Sequence, residues 1–216
     1  MKKRPVSRFS RPKAKKSGII ESWHNGADAE IHLYAQSLQK AAKSLVEKLE
    51  PKQSPGTAWD VCPIIWLYRQ ALELHLKALV GEGSNFLESK TDPISLYRTH
   101  SLRWLAQIVC QVIKTLGWES DFACEGVSSL AEFSSLLNEI ESLDPVSCAV
   151  HFASGRDHGS AAQSFQKVSA VQFARKVDAL LELLDVTADA LAAMWDQRAE
   201  AAADEGFGGD FGPTIH

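Results

Sequence analysis

The 216-residue chain has no long hydrophobic run. Its longest apolar stretches, such as Cys62 to Tyr68 and Leu102 to Val109, are bounded or broken by polar and charged side chains. They fall well short of the roughly 20 apolar residues that a membrane-spanning helix needs, so no membrane partner is expected. The basic start, MKKRPVSRFSRPKAKKSG, has no apolar core segment, which excludes reading it as a secretory signal. There are only four cysteines, Cys62, Cys110, Cys124 and Cys148, and none forms a CxxC pair. A zinc site built on cysteine and a disulfide framework are therefore not expected, and a reducing cytoplasm is the simplest setting. His151 and His158 lack a third ligand at metal-site spacing, so neither a metal nor a cofactor is expected. P-loop, Rossmann glycine, HExxH and GxSxG patterns are all missing, which removes support for ATPase, dehydrogenase, zinc-protease and α/β-hydrolase chemistry. No period of 20–50 residues repeats, against a solenoid.

What is present is an ordinary globular composition, 45% hydrophobic and 23% charged. A chain of this length buries roughly 70% of its unfolded surface when it folds as one domain. The net charge of −4 conceals an asymmetry. Residues 1–18 carry eight basic residues and no acid, leaving 15 bases against 27 acids in the rest, or −12. The expected organisation is a disordered basic arm over 1–18, a single helical domain over 19–200 and a flexible Gly-rich acidic tail over 201–216. A basic arm suits phosphate backbones nonspecifically, or docks on its own acidic body.

Five helical segments follow from periodicity. The first spans Ala27 to Leu49, with Ile31, Tyr34, Leu38, Ala41, Leu45 and Leu49 on one apolar face, and Glu50-Pro51 ends it. The second spans Asp60 to Val80, with Pro63 in its first turn and Gly81 as its left-handed stop. It is apolar nearly all round, which predicts a central helix. The third runs from the N-cap Ser101 to Gly117, and the fourth from the Ser129-x-x-Glu132 capping box to Asp144-Pro145. The fifth opens at Ser169-x-x-Gln172 and continues to about Ala203. Between the last two, Asp144 to Val168 is loop-like, with short strands expected at Ala149 to Phe152 and Ser164 to Val168. The predicted fold class is all-α: a bundle of about five helices with a short β-hairpin in 144–168.

The second helix carries the informative polar residues. Arg69, Glu73 and Lys77 recur every four residues, about 40° apart around the axis, with Gln70 alongside. Buried charges need partners, and the two i,i+4 pairs partly neutralise one another. Two readings stay open: a narrow solvated stripe, or a polar groove that meets a ligand or second subunit. His75 lies about 120° around from Arg69, on the face of Tyr68, Leu72 and Leu79. It is either a satisfied core histidine or, with Arg69, a reader of a phosphodiester laid across the helix. His100 either faces the stripe or is an exposed neighbour of the cap. Arg156, Asp157 and His158, between Gly155 and Gly159, form a polar turn or an anion-holding loop. The tryptophans, among them Trp59, Trp66 and Trp104, are expected to fill core.

The segment PIIWLYRQALELHLKALVGEG, then Thr99-His100-Ser101-Leu102, then LDPVSCAVHFASGRDHG before a long helix, resembles the HEPN-like group of small helical proteins over about residues 57–195. The resemblance implies a HEPN-like bundle and a homodimer. Active members resemble metal-independent endoribonucleases with an R-x(4–6)-H motif at the dimer interface, and Arg69-x5-His75 fits that spacing. Carried over, His75 is the general acid or base and Arg69 stabilises the charge that develops on phosphate. Gln70, Glu73, Lys77, His100, Arg156, Asp157 and His158 then bind or support. The implied function is RNA binding or cleavage in a prokaryotic or phage defence or toxin system, with RNA, a second copy, or an antitoxin-like protein as partners. The alternative is a noncatalytic helical adaptor or ligand-binding protein of the same fold.

Overall fold

The computed structural model describes residues 27–49, 58–87, 93–143 and 169–207. Over these residues the chain is all-α. Its helices are α1 (Ala27–Leu49), α2 (Ala58–Gly83), α3 (Pro93–Arg98), α4 (Leu102–Leu116), α5 (Leu130–Ser142) and α6 (Ala170–Phe207), with a 3-10 turn at Ser84–Phe86. Extended pairing among the described residues is limited to an isolated bridge, Cys124 to Val127. The arm over 1–18 and the 144–168 segment, with its expected hairpin and Arg156, Asp157 and His158, lie outside the described residues. The short helix α3 was not anticipated from periodicity, because six residues are too few to show one. No helix among the described residues is long and apolar enough to cross a membrane.

α2 is the axis of the bundle, packed by α1, α6, α4 and α3. Ile64, Ile65, Tyr68, Leu72, Leu76 and Leu79 are fully buried along it. The helix runs longer than expected. It passes through Gly81 and ends at Gly83, and Pro63 lies inside it rather than in its first turn. Gly83 is required for closeness: a Cβ there would stand 2.8 Å from Val112 Cγ1 on α4. Gly117, by contrast, serves conformation, with φ +66 as the left-handed stop of α4.

The predicted caps hold, with one difference. Ser101 Oγ accepts from Trp104 N, Ser129 Oγ from Glu132 N and Ser169 Oγ from Gln172 N. Glu132, however, accepts from the backbone N–H and hydroxyl of Ser128, one residue before the cap. The buried face of α1 is also rotated from the expected one. Ala35, Gln39, Ala42 and Val46 are buried, while Tyr34 is 61% exposed and Ala41 faces solvent. Small side chains let α1 lie close to its neighbours, and that close seam wins over the bulkier stripe. Trp66 is likewise exposed rather than core, whereas Trp118 is buried.

α6 continues to Phe207, into the stretch read as a flexible tail. At 1.5 Å per residue its 38 residues extend about 57 Å. Cys62 is disulfide-bonded, a correction to the reading from spacing, since separation along the chain does not report proximity in space. Cys110 and Cys124 are free.

Candidate functional site

Two ionic clusters sit on α2. The first gathers Arg69, Glu73, Lys77 and His100. Arg69 Nη1 donates to Glu73 Oε2 at 3.1 Å, and Lys77 Nζ donates to Glu73 Oε1 at 2.8 Å. His100 Nδ1 approaches Glu73 Oε1 at 2.9 Å, and because a carboxylate only accepts, Nδ1 carries the proton. The remaining donors are also placed: Arg69 Nη2 donates to the His100 carbonyl at 2.6 Å, and Lys77 Nζ to the Tyr97 carbonyl at 3.3 Å. α3 ends at Arg98, so these carbonyls belong to its C-terminal corner, where backbone acceptors lack helical partners and cations are favoured. The stripe read from sequence is thus met by the chain's own α3–α4 corner. Glu73 is 3% exposed. Burial would push its carboxyl upward, but hydrogen bonds from Lys77 and His100 and their positive charge overcome this and hold it below the usual range. His100 fulfils both of its readings, since its side chain is 73% exposed and still reaches the carboxylate. Gln70 is half-buried beside the cluster.

His75 belongs to the other flank. Its side chain is 1% exposed and its Nδ1 lies 3.1 Å from Asp185 Oδ1 on α6. His32 of α1 packs edge-on against it, ring centroids 5.0 Å apart, and places Nε2 3.5 Å from the same oxygen. Arg69 and His75, predicted as a catalytic pair, therefore engage different partners in different seams. Within one chain they do not converge on a shared group.

A related layer lies two helical turns away. Asp178 accepts from Tyr68 OH at 3.0 Å and Gln39 Nε2 at 2.9 Å, and Lys43 Nζ stands 3.3 Å from it. Burial and the Asp178 charge push the Tyr68 hydroxyl well above its usual range, so it remains a donor. Tyr68 pairs with Asp178 and His75 with Asp185, so α2 and α6 run parallel. Gln39 pairs with Asp178 and His32 with Asp185, so α1 runs opposite to both. Each helix contributes two polar residues seven positions apart: His32 and Gln39, Tyr68 and His75, Asp178 and Asp185.

His32 and Asp185 were not among the sequence candidates. The seven-residue spacing shared by three separate helices was the available signal, and only the packing shows that the three sets align. Two surface grooves, one between α5 and the start of α6 and one between the Asp121–Glu125 loop and α6, contain none of the predicted site residues. Comparison with protein-family models, with curated proteins and with solved structures finds no match to this chain.

Proposed function

We propose that the chain is a noncatalytic helical adaptor of the HEPN-like type. One observation carries this reading: the two residues that a ribonuclease mechanism needs are already engaged, on separate flanks of α2. Arg69 is held by Glu73 and the His100 carbonyl, and His75 is buried against Asp185. An arginine so neutralised has little charge left for a phosphate, and a histidine sealed in a seam has no path to a ribose hydroxyl. The clamp instead fixes the α3–α4 corner. That corner presents the exposed rings of Tyr97 and His100, while Trp66 is exposed one turn before Arg69 on α2. Aromatic side chains of this kind are the usual anchors of a protein contact.

The test is incubation of the purified chain with structured and unstructured RNA in the presence of EDTA. The expected result is no turnover, with Arg69→Ala losing thermal stability and nothing else. RNA cleavage by the wild type that disappears in both Arg69→Ala and His75→Ala would overturn the adaptor reading in favour of a metal-independent ribonuclease.

A further inference from the structure

We infer that His32, His75 and Asp185 form a binding site for a divalent first-row transition ion of the zinc type, at the junction of α1, α2 and α6. Two polar layers are stacked along the α1–α2–α6 seam. In one, Asp178 meets a phenol, an amide and the Lys43 ammonium, so its negative charge is balanced within the chain. In the other, His75 takes the place of Tyr68, His32 that of Gln39, and Gln36 that of Lys43. The second layer repeats the carboxylate but replaces the fixed ammonium with a neutral amide. It also replaces both neutral donors with imidazoles. A seam that loses its built-in cation and gains two nitrogen ligands suits a cation from outside.

The local geometry agrees. One donor atom from each of the three residues lies within 4.8 Å of the other two. The two separations from Asp185 Oδ1 are 3.1 Å to His75 Nδ1 and 3.5 Å to His32 Nε2. Bonds of about 2.0–2.1 Å at tetrahedral angles place neighbouring ligand atoms about 3.3 Å apart. Those two edges bracket that value, and the third, between the imidazole nitrogens, lies within 4.8 Å. Asp185 Oδ1 is buried without a hydrogen-bond partner among the described residues, a condition that native interiors seldom keep. Gln36 Nε2 lies 3.0 Å from His32 Nε2 and has to turn aside for an ion to enter.

Two imidazoles and a carboxylate are the donor set of borderline ions rather than of calcium or magnesium, which take oxygen ligands. Asp185 and His32 are partly exposed, 19% and 27%, whereas His75 forms the floor. The inference does not depend on the adaptor reading, because the RNA assay above is run without free metal.

The experiment uses the untagged full-length chain, stripped with chelator and dialysed, then titrated with cobalt(II) and zinc(II) chloride. The expected result is one cobalt per chain, with the visible bands of a four-coordinate complex and displacement by zinc. Zinc raises the thermal midpoint and EDTA reverses the rise. His32→Gln, His75→Gln and Asp185→Asn each weaken cobalt binding by about 100-fold or more, at least the upper effect of losing an outer-shell partner. If His75→Gln fails to fold, the half-exposed His32→Gln and the wild-type cobalt spectrum still decide. Absence of saturable cobalt uptake by the wild type overturns the inference. So does uptake that is unchanged in His32→Gln and Asp185→Asn, which would place the ion elsewhere.

Discussion

Glu73 and Asp185 are both carboxylates set into seams of the same bundle, and their surroundings differ in kind. Glu73 receives a guanidinium, an ammonium and an imidazole N–H, and the donors left over reach the carbonyls of Tyr97 and His100. Every charge in that cluster is supplied by the chain. Among the described residues, Asp185 lies beside two histidines with no lysine or arginine bonded to it, and one of its oxygens has no hydrogen bond. A closed cluster of the first kind holds an element in place, and its loss registers as a loss of fold. An open one of the second kind contributes little stability by itself and leaves room for a guest. The same helix supplies residues to both because Glu73 and His75, two residues apart, point about 160° apart around its axis, one toward the α3–α4 corner and the other toward α6.

The largest test of this contrast is Glu73→Ala. It leaves Lys77 buried and Arg69 mostly buried without a counter-charge, and removing one partner of a buried ion pair costs about 3–5 kcal/mol. Urea unfolding followed by circular dichroism should show a lowered midpoint with an unchanged slope, the product of the shift and the slope matching that loss. A loss below about 1 kcal/mol would mean that the cluster is solvated and does not clamp the corner.

The next effect in size strains the same region without touching a charge. Gly83→Ala drives a methyl group into Val112 at the α2–α4 crossing. Overpacking of this kind costs about 1–3 kcal/mol. Val112→Ala in the same chain relieves the clash, so a double-mutant cycle should return a favourable coupling. Additive losses would show that the helices separate freely and that glycine is dispensable there.

Asp185→Asn should do far less. In the metal-free chain it exchanges a poorly paired carboxylate for a neutral group of the same shape, and stability should stay within about 1 kcal/mol of wild type. Thermal unfolding in EDTA measures this. A cost equal to that of Glu73→Ala would erase the distinction between the two clusters, since Asp185 would then be a structural ion-pair partner.

Much of the fold was legible in the sequence, and the missing parts share a cause. Ser101, Ser129 and Gly117 mark helix ends through local chemistry, and the structure has them capping and stopping as read. The all-round apolar character of α2 identified the central helix. The stripe from Arg69 through Lys77 was legible as a feature needing partners. The identity of the partners was not, because they include backbone carbonyls of a six-residue helix whose periodicity is too short to read. His32 and Asp185 lie 153 positions apart on α1 and α6. No local pattern ties them together, and only the parallel run of α6 beside α2 and the opposite run of α1 bring them to His75.

The smallest expected effect addresses α1, the helix that carries His32. Counting apolar residues puts Tyr34 on the inner face, whereas the structure leaves it 61% exposed and buries Ala35, Gln39 and Ala42 instead. The two arrangements differ by a rotation of about 100°, one residue step around the helix. In the inner arrangement, Tyr34→Ser removes a core ring and costs at least about 3 kcal/mol. In the observed one it alters a surface site and stays within about 0.5 kcal/mol. The outcome matters for the open cluster as well. Turning α1 until Tyr34 faces inward would carry His32 away from Asp185 and separate the two imidazoles. A silent Tyr34→Ser, read by thermal unfolding in the absence of metal, therefore supports the helix orientation on which the three-residue junction depends, and a large loss would dismantle it.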